Sequence, residues 1–175
     1  MENALCFIQQ YKFARSALNS LTRLSILHIQ LVSDSSSAGA LAQAYGIHEA
    51  SQFKPWSYDT FADCTTAPYF GVLAIKEDQV VGYALVLEVV DEATLMDIAV
   101  DKRYRQEGIG RTLVDYVKQH AQQNKISSMW LEVRASNVGA INLYENAGFE
   151  HIEVRKGYYQ TAKGKEDAKI MKASF

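Results

Sequence analysis

"VDKRYRQEGIGRTLVDYV" (Val100–Val117) sets two glycines among arginines, between an apolar run and an amphipathic one. Upstream, "TLMDIAV" ends as a strand; downstream, Thr112 to Asn124 suits a helix, with Leu113, Val114, Val117 and Ala121 as its buried stripe. The N–H groups that open a helix have no intrahelical acceptor, and the aligned peptide dipoles place partial positive charge there, so an anion fits. Gly108 and Gly110 remove side chains that would hold a phosphate off the backbone, and Arg105 and Arg111 add charged donors. A turn that needs glycine and a cradle for phosphate both satisfy these residues. Two familiar nucleotide loops do not: the chain has no G-x-x-x-x-G-K-[ST], and no G-x-G-x-x-G with an acidic residue ending a second strand.

The pattern on either side predicts one mixed sheet covered by helices. Ile26 to Val32 alternates as a first strand, the serines of 33–37 form loop and helix cap, and Ala38 to Ala50 suits a helix. A short helix follows Pro55 in "PWSYDTFADC". Tyr69 to Lys76, Val80 to Val90 and Thr94 to Val100 read as strands, the first two joined as a hairpin by "KEDQ". "SSMWLEVRA" is a further strand, and Asn137 caps a helix through Ala147 that Gly148 stops in a left-handed turn. The tail holds two more strands linked by "TAKGKED". Met1 to Leu24 stands apart as a basic extension with a helical stripe, preceding a domain over 25–175.

Composition narrows the function. With 175 residues and 48% hydrophobic residues, the chain fits one domain that buries roughly 70% of its unfolded surface. A net charge of -2 argues against broad capture of nucleic acid. No apolar run approaches the roughly 20 residues of a spanning helix, so a cytoplasmic location without membrane contact is expected; a monomer is the expected state. Cys6 and Cys64 are isolated, with no C-x-x-C and no His/Cys cluster at metal-ligand spacing, so no metal is expected.

A second constellation lies in "WLEVRASNVGAINLYENAGF" (Trp130–Phe149). In a strand, Met129, Leu131 and Val133 share one face, while Trp130, Glu132 and Arg134 share the other. A carboxylate in so apolar a strand either pairs with a basic neighbour or is held for chemistry. Tyr144, on the next helix, can turn its hydroxyl toward the strand's end or simply pack. Asn137 is a helix cap, a ligand contact, or both.

Together, the R-x-x-G-x-G loop after "IAV", then "LEVRASN", then "LYE" before "GF", resemble the GNAT acyl-CoA-dependent N-acetyltransferases, and within them the branch that modifies ribosomal proteins. The likeness runs from about Ile26 to Met171 and includes "PWSYDTF", "DEATLMDIAV", "RQEGIGR", "YY" and "EDAKIM". The N-terminal extension departs from it, as does Arg105, where some members carry glutamine. The resemblance implies the GNAT fold, an α+β arrangement with a central mixed sheet and helices on both faces, and acetyl-CoA as donor. It places backbone contacts to the acetyl-pantetheine arm at Ile98, Ala99 and Val100. Arg105, Gln106, Glu107, Gly108, Ile109, Gly110 and Arg111 would hold the pyrophosphate, and Asn137 the pantetheine side. Glu132 takes the place of the general base and Tyr144 that of the general acid. The implied acceptor is the N-terminal alanine of a small-subunit ribosomal protein, in a groove formed by the early helices, the turn at Asp91 and Glu92, and the hairpin with Tyr158, Tyr159, Glu166 and Asp167. Another amine as acceptor, or a CoA-binding regulatory module without turnover, are the competing functions.

Overall fold

A computed structural model describes residues 26–33, 38–162 and 164–175. The expected helix within 1–24, Cys6 and most of the serine-rich loop lie outside the described residues. The strands are β1 (His28–Leu31), β2 (Tyr69–Lys76), β3 (Gln79–Val89), β4 (Glu92–Val100), β5 (Ser128–Arg134), β6 (Glu150–Thr161) and β7 (Gly164–Ser174). They form one sheet in the order β1-β2-β3-β4-β5-β7-β6. Every neighbouring pair is antiparallel except β4 and β5. A parallel pair needs a long crossover, and here it is α3 (Ile109–Gln123).

Alternation along the strands sorts the core to two sheet faces. On β2, Val72 and Ala74 join the cluster built on α3 and α4 (Val138–Asn146), whereas Leu73 joins the one built on α1 (Ala38–Ser51) and α2 (Tyr58–Asp63). The sheet therefore carries helices on both faces, as expected. On α3, Ile109, Leu113, Val114, Val117 and Ala121 are buried at helical spacing against β2, β3 and β4.

Element ends depart from expectation for local reasons. α3 begins three residues before Thr112 because Gly108, at φ 80°, takes the left-handed conformation and serves as its N-cap. α2 starts at Tyr58, since Ser57 caps it by accepting the Thr60 N–H at 3.2 Å. β6 and β7 run well into "TAKGKED", leaving only 162–163 between them. Among the described residues, no helix is long and apolar enough to cross a membrane, and no group of three or more His, Cys, Asp or Glu could hold a metal ion.

Candidate active site

The sheet opens in its middle. β4 and β5 pair only from Glu92↔Ser128 to Leu95↔Leu131, while β4 stays on β3 as far as Val100↔Gly82 and β5 stays on β7 as far as Arg134↔Ala168. A bulge marks the parting: Leu85 faces Asp97 and Val86 faces Leu95, so Met96 is the extra residue. Beyond it, the Asp101 N–H donates to Val81 O at 2.9 Å, which makes Asp101 and Val81 a hydrogen-bonded pair. Pairs alternate in an antiparallel ladder, so Ala99 also bonds toward Tyr83, whereas the N–H and C=O groups of Ile98 and Val100 point away from β3 into the gap. The gap widens into a cleft of about 1240 Å³.

The glycine loop borders one end of this cleft. Gln106 (φ 67°) and Gly108 (φ 80°) both take left-handed backbone, and no side chain caps the first turn of α3. Arg105, Gln106, Ile109 and Gly110 line the cleft, and Arg105 Nε donates to Val100 O at 3.1 Å. Glu107, Gly108 and Arg111 are not among its lining residues. Glu107 pairs with Lys76 at 2.6 Å, and Arg111 reaches Asp115 at 2.7 Å and Asn146 O at 3.0 Å. The glycines differ in purpose: a Cβ at Gly108 meets nothing within 4 Å, so its need is conformational, whereas one at Gly110 meets Leu143 Cδ1 at 3.2 Å. Gly110 thus permits the close approach of α3 to α4.

β5 alternates as expected, with Met129, Leu131 and Val133 buried and Trp130, Glu132 and Arg134 on the half-buried face. Glu132 lines the cleft and is paired: Arg155 Nη1 donates to its Oε1 at 2.9 Å. The Tyr158 hydroxyl bonds its carboxylate, which raises that phenol's pKa, with burial adding to the effect. Tyr159 donates to the Glu132 backbone oxygen at 3.2 Å, and burial, with Glu132 adding to it, pushes its pKa up to about 12.

Tyr144 lines the same cleft from α4, 6% exposed, its ring edge-on to Phe149. Burial above all, with the negative charge of Asp97 next, pushes its pKa well above the ordinary tyrosine value. Asn137 is a helix cap, its side chain accepting the Ala140 N–H at 3.2 Å, and it also borders the cleft.

One cluster went unread in the sequence. Tyr83 OH donates to Asp97 Oδ2 at 2.6 Å, His48 Nδ1 lies 2.7 Å from the same oxygen, and Gln52 Nε2 and the Ile98 N–H each donate to Oδ1 at 3.0 Å. The available signal was the one used for Glu132, a lone carboxylate in an apolar strand, here "TLMDIAV".

Away from the glycine loop, the cleft is aromatic and apolar more than acidic. Phe53, Trp56, Met96, Tyr158 and Tyr159 line it. Asp91, Glu92, Glu166 and Asp167, placed by the resemblance around the acceptor groove, are not among its lining residues. Each bonds within the fold: Asp91 accepts from Ser127, Glu92 from Trp130 and Ser128, Glu166 from Ser136 and Arg134, and Asp167 from Gly157. Cys64 is buried, and burial pushes its thiol pKa up, the opposite of what a nucleophile needs.

Residues 39–149 match the acetyltransferase (GNAT) family. The chain is 40% identical over 131 residues to the [ribosomal protein bS18]-alanine N-acetyltransferase of Escherichia coli (strain K12), covering 75% of this chain and 88% of that one. It is 34% identical over 128 residues to the enzyme of the same name from Haemophilus influenzae, covering 73% and 87%. The crystal structure of the ribosomal-protein-S18-alanine N-acetyltransferase from Escherichia coli superposes with a TM-score of 0.76 at 36% identity, over 84% of this chain and 94% of that one.

Proposed function

The chain belongs to the GNAT acetyltransferase family, and from that premise we propose that it acetylates the N-terminal alanine α-amine of ribosomal protein bS18, using acetyl-CoA. One observation carries the reading. Glu132 and Tyr144 line the same cleft that receives the outward-facing backbone of Ile98 and Val100.

The residues fit the donor. Ile98 and Val100 present N–H and C=O groups in strand spacing, which suits the amide-bearing pantetheine arm as an added strand. Arg105, Gln106 and the uncapped N-terminus of α3 offer charge and backbone donors to the pyrophosphate, while Gly108 leaves open space before them. Arg111, held by Asp115 and Asn146, contributes field more than contact. Asn137 keeps its amide NH2 for the pantetheine side. Acetyl-CoA supplies an acetyl group activated as a thioester.

The chain's own groups then divide the work. An α-ammonium has a reference pKa of about 7.7 to 8.0, so near pH 7 a base must take its proton. Glu132 does so, directly or through water, once the amine displaces Arg155. The Ile98 N–H, which points into the gap and is held by Asp97 Oδ1 in the free protein, is shared with the oxyanion formed by attack on the carbonyl and stabilises it. Tyr144 donates its proton to the departing thiolate; its raised pKa keeps that proton on the hydroxyl until it is needed. The acceptor enters between the Gln52–Trp56 segment and the β6–β7 hairpin, where aromatic side chains flank the chain.

A transfer assay tests this. With acetyl-CoA, a peptide carrying the bS18 N-terminus is acetylated and the same peptide with a blocked N-terminus is not. Transfer to free lysine alone would replace the acceptor, and absence of turnover with retained acetyl-CoA binding would make the protein a CoA-binding module.

A further inference from the structure

The steps above leave the most heavily bonded side chain of the cleft without a task. Asp97 accepts from Tyr83 on β3, His48 on α1, Gln52 just beyond α1 and the N–H of Ile98, and these four donors fill the roughly four lone-pair sites of a carboxylate. It stands directly after the Met96 bulge, which re-aims the strand at this point, and directly before the residue whose N–H faces the gap.

His48 extends the connection. Its side chain is 2% exposed, and its Nε2 accepts the backbone N–H of Trp56 at 2.9 Å. That acceptor role puts the ring proton on Nδ1, from which it is donated to Asp97. The ring is thus a fixed link from the acceptor-side backbone at Trp56 to the reacting end of β4. Packing alone asks for neither bond; an apolar ring of the same size would fill the space.

We infer that Asp97 is a positioning residue for the transfer reaction: with His48 and Tyr83 it aims the Ile98 N–H and ties it to the acceptor-binding segment Gln52–Trp56. The inference rests on the reading of the Ile98 N–H as the oxyanion donor. In the free protein Asp97 Oδ1 holds that N–H, and its hold fixes the peptide plane that the acetyl carbonyl later meets. Acceptor and acetyl group are then placed by one network.

Asp97→Asn keeps the shape but sets an amide NH2 among donors that cannot all reverse. Misplacement of this kind costs rate more than binding, so kcat should fall roughly 10- to 100-fold while acetyl-CoA affinity stays within about 2-fold. His48→Leu should lose kcat similarly, and His48→Gln should recover most of it, because an amide offers an N–H to Asp97 and an acceptor oxygen to the Trp56 N–H, the two bonds that the neutral ring makes. Should Asp97→Asn fail to fold, the His48 pair and Tyr83→Phe carry the same test. A folded Asp97→Asn with kcat within about 2-fold of wild type, or His48→Gln as slow as His48→Leu, overturns the inference. A nuclear magnetic resonance arm separates it from the proposed function. If the wild type acetylates no amine, that function fails, yet the Ile98 amide resonance still decides: a shift on adding acetyl-CoA that differs between wild type and Asp97→Asn supports the positioning role, and an identical one overturns it.

Discussion

Arg155 and Glu132 form a 2.9 Å ion pair across the β6–β7–β5 half of the sheet, so the proposed base holds a cation before any amine arrives. Arg155 also lies over the Tyr158 ring at 4.3 Å. The guanidinium is 54% exposed and the carboxylate 29%, and pairs that water can reach contribute about 0 to 1 kcal/mol. The pair is therefore cheap to exchange. Arg155→Met should leave the melting temperature nearly unchanged and lower the acceptor KM by ~2- to 5-fold, since the ammonium no longer competes for Glu132. Steady-state kinetics with an N-terminal alanine peptide check this, and a raised KM would contradict it.

Glu132→Gln and Tyr144→Phe remove the two proposed proton-transfer groups while leaving the proposed donor site filled. Each should lower kcat by about 10²- to 10⁴-fold. Calorimetric acetyl-CoA affinity should stay near wild type in both. Near-normal turnover in either variant refutes its assigned role.

The raised pKa of Tyr144 has a defined sign in the pH profile. A general acid works below its pKa, so raising that value extends the working range upward. As pH rises, kcat/KM should climb while the acceptor ammonium loses its proton, near 7.7 to 8.0 in reference peptides. kcat itself should show no alkaline fall assignable to tyrosine below about pH 10, the ordinary tyrosine value. A fall centred below that pH in wild type, absent from Tyr144→Phe, would contradict the buried, proton-retaining hydroxyl.

Gly108 and Gly110 should respond differently to substitution. At Gly108 the backbone is left-handed with open space beside it, so Gly108→Asn should be tolerated better than Gly108→Val, whose branched side chain strains that conformation by ~1 to 3 kcal/mol. At Gly110 even Ala presses on Leu143, at 3.2 Å from its added Cβ, so the spacing of α3 and α4 must give. Thermal melts with parallel acetyl-CoA titrations resolve the two. Equal tolerance of Val and Asn at Gly108 would mean that its φ carries no constraint.

Periodicity and punctuation made much of this legible in advance. The α3 stripe from Leu113 to Ala121, the alternation of β5 around Glu132, the Asn137 cap and the Gly148 stop are all local properties, and each stands where its residue type demands. What stayed hidden depends on partners distant in sequence. Arg111 reaches Asn146 O, 35 positions on, a contact its helix alone does not announce. The resemblance places Glu166 and Asp167 at the acceptor groove, yet hairpin closure gives them Ser136 and Gly157 as donors. The Met96 bulge leaves no mark in composition, and Asp97 acquires meaning only once His48, 49 positions earlier, is folded against it.

The central claim is tested most directly by incubating the protein with acetyl-CoA and ribosomal protein bS18 bearing a free N-terminal alanine, then locating the added acetyl group by tandem mass spectrometry. The account predicts a single acetyl on the alanine α-nitrogen, lost with Glu132→Gln. Acetyl on lysine side chains with the N-terminus left free would contradict it.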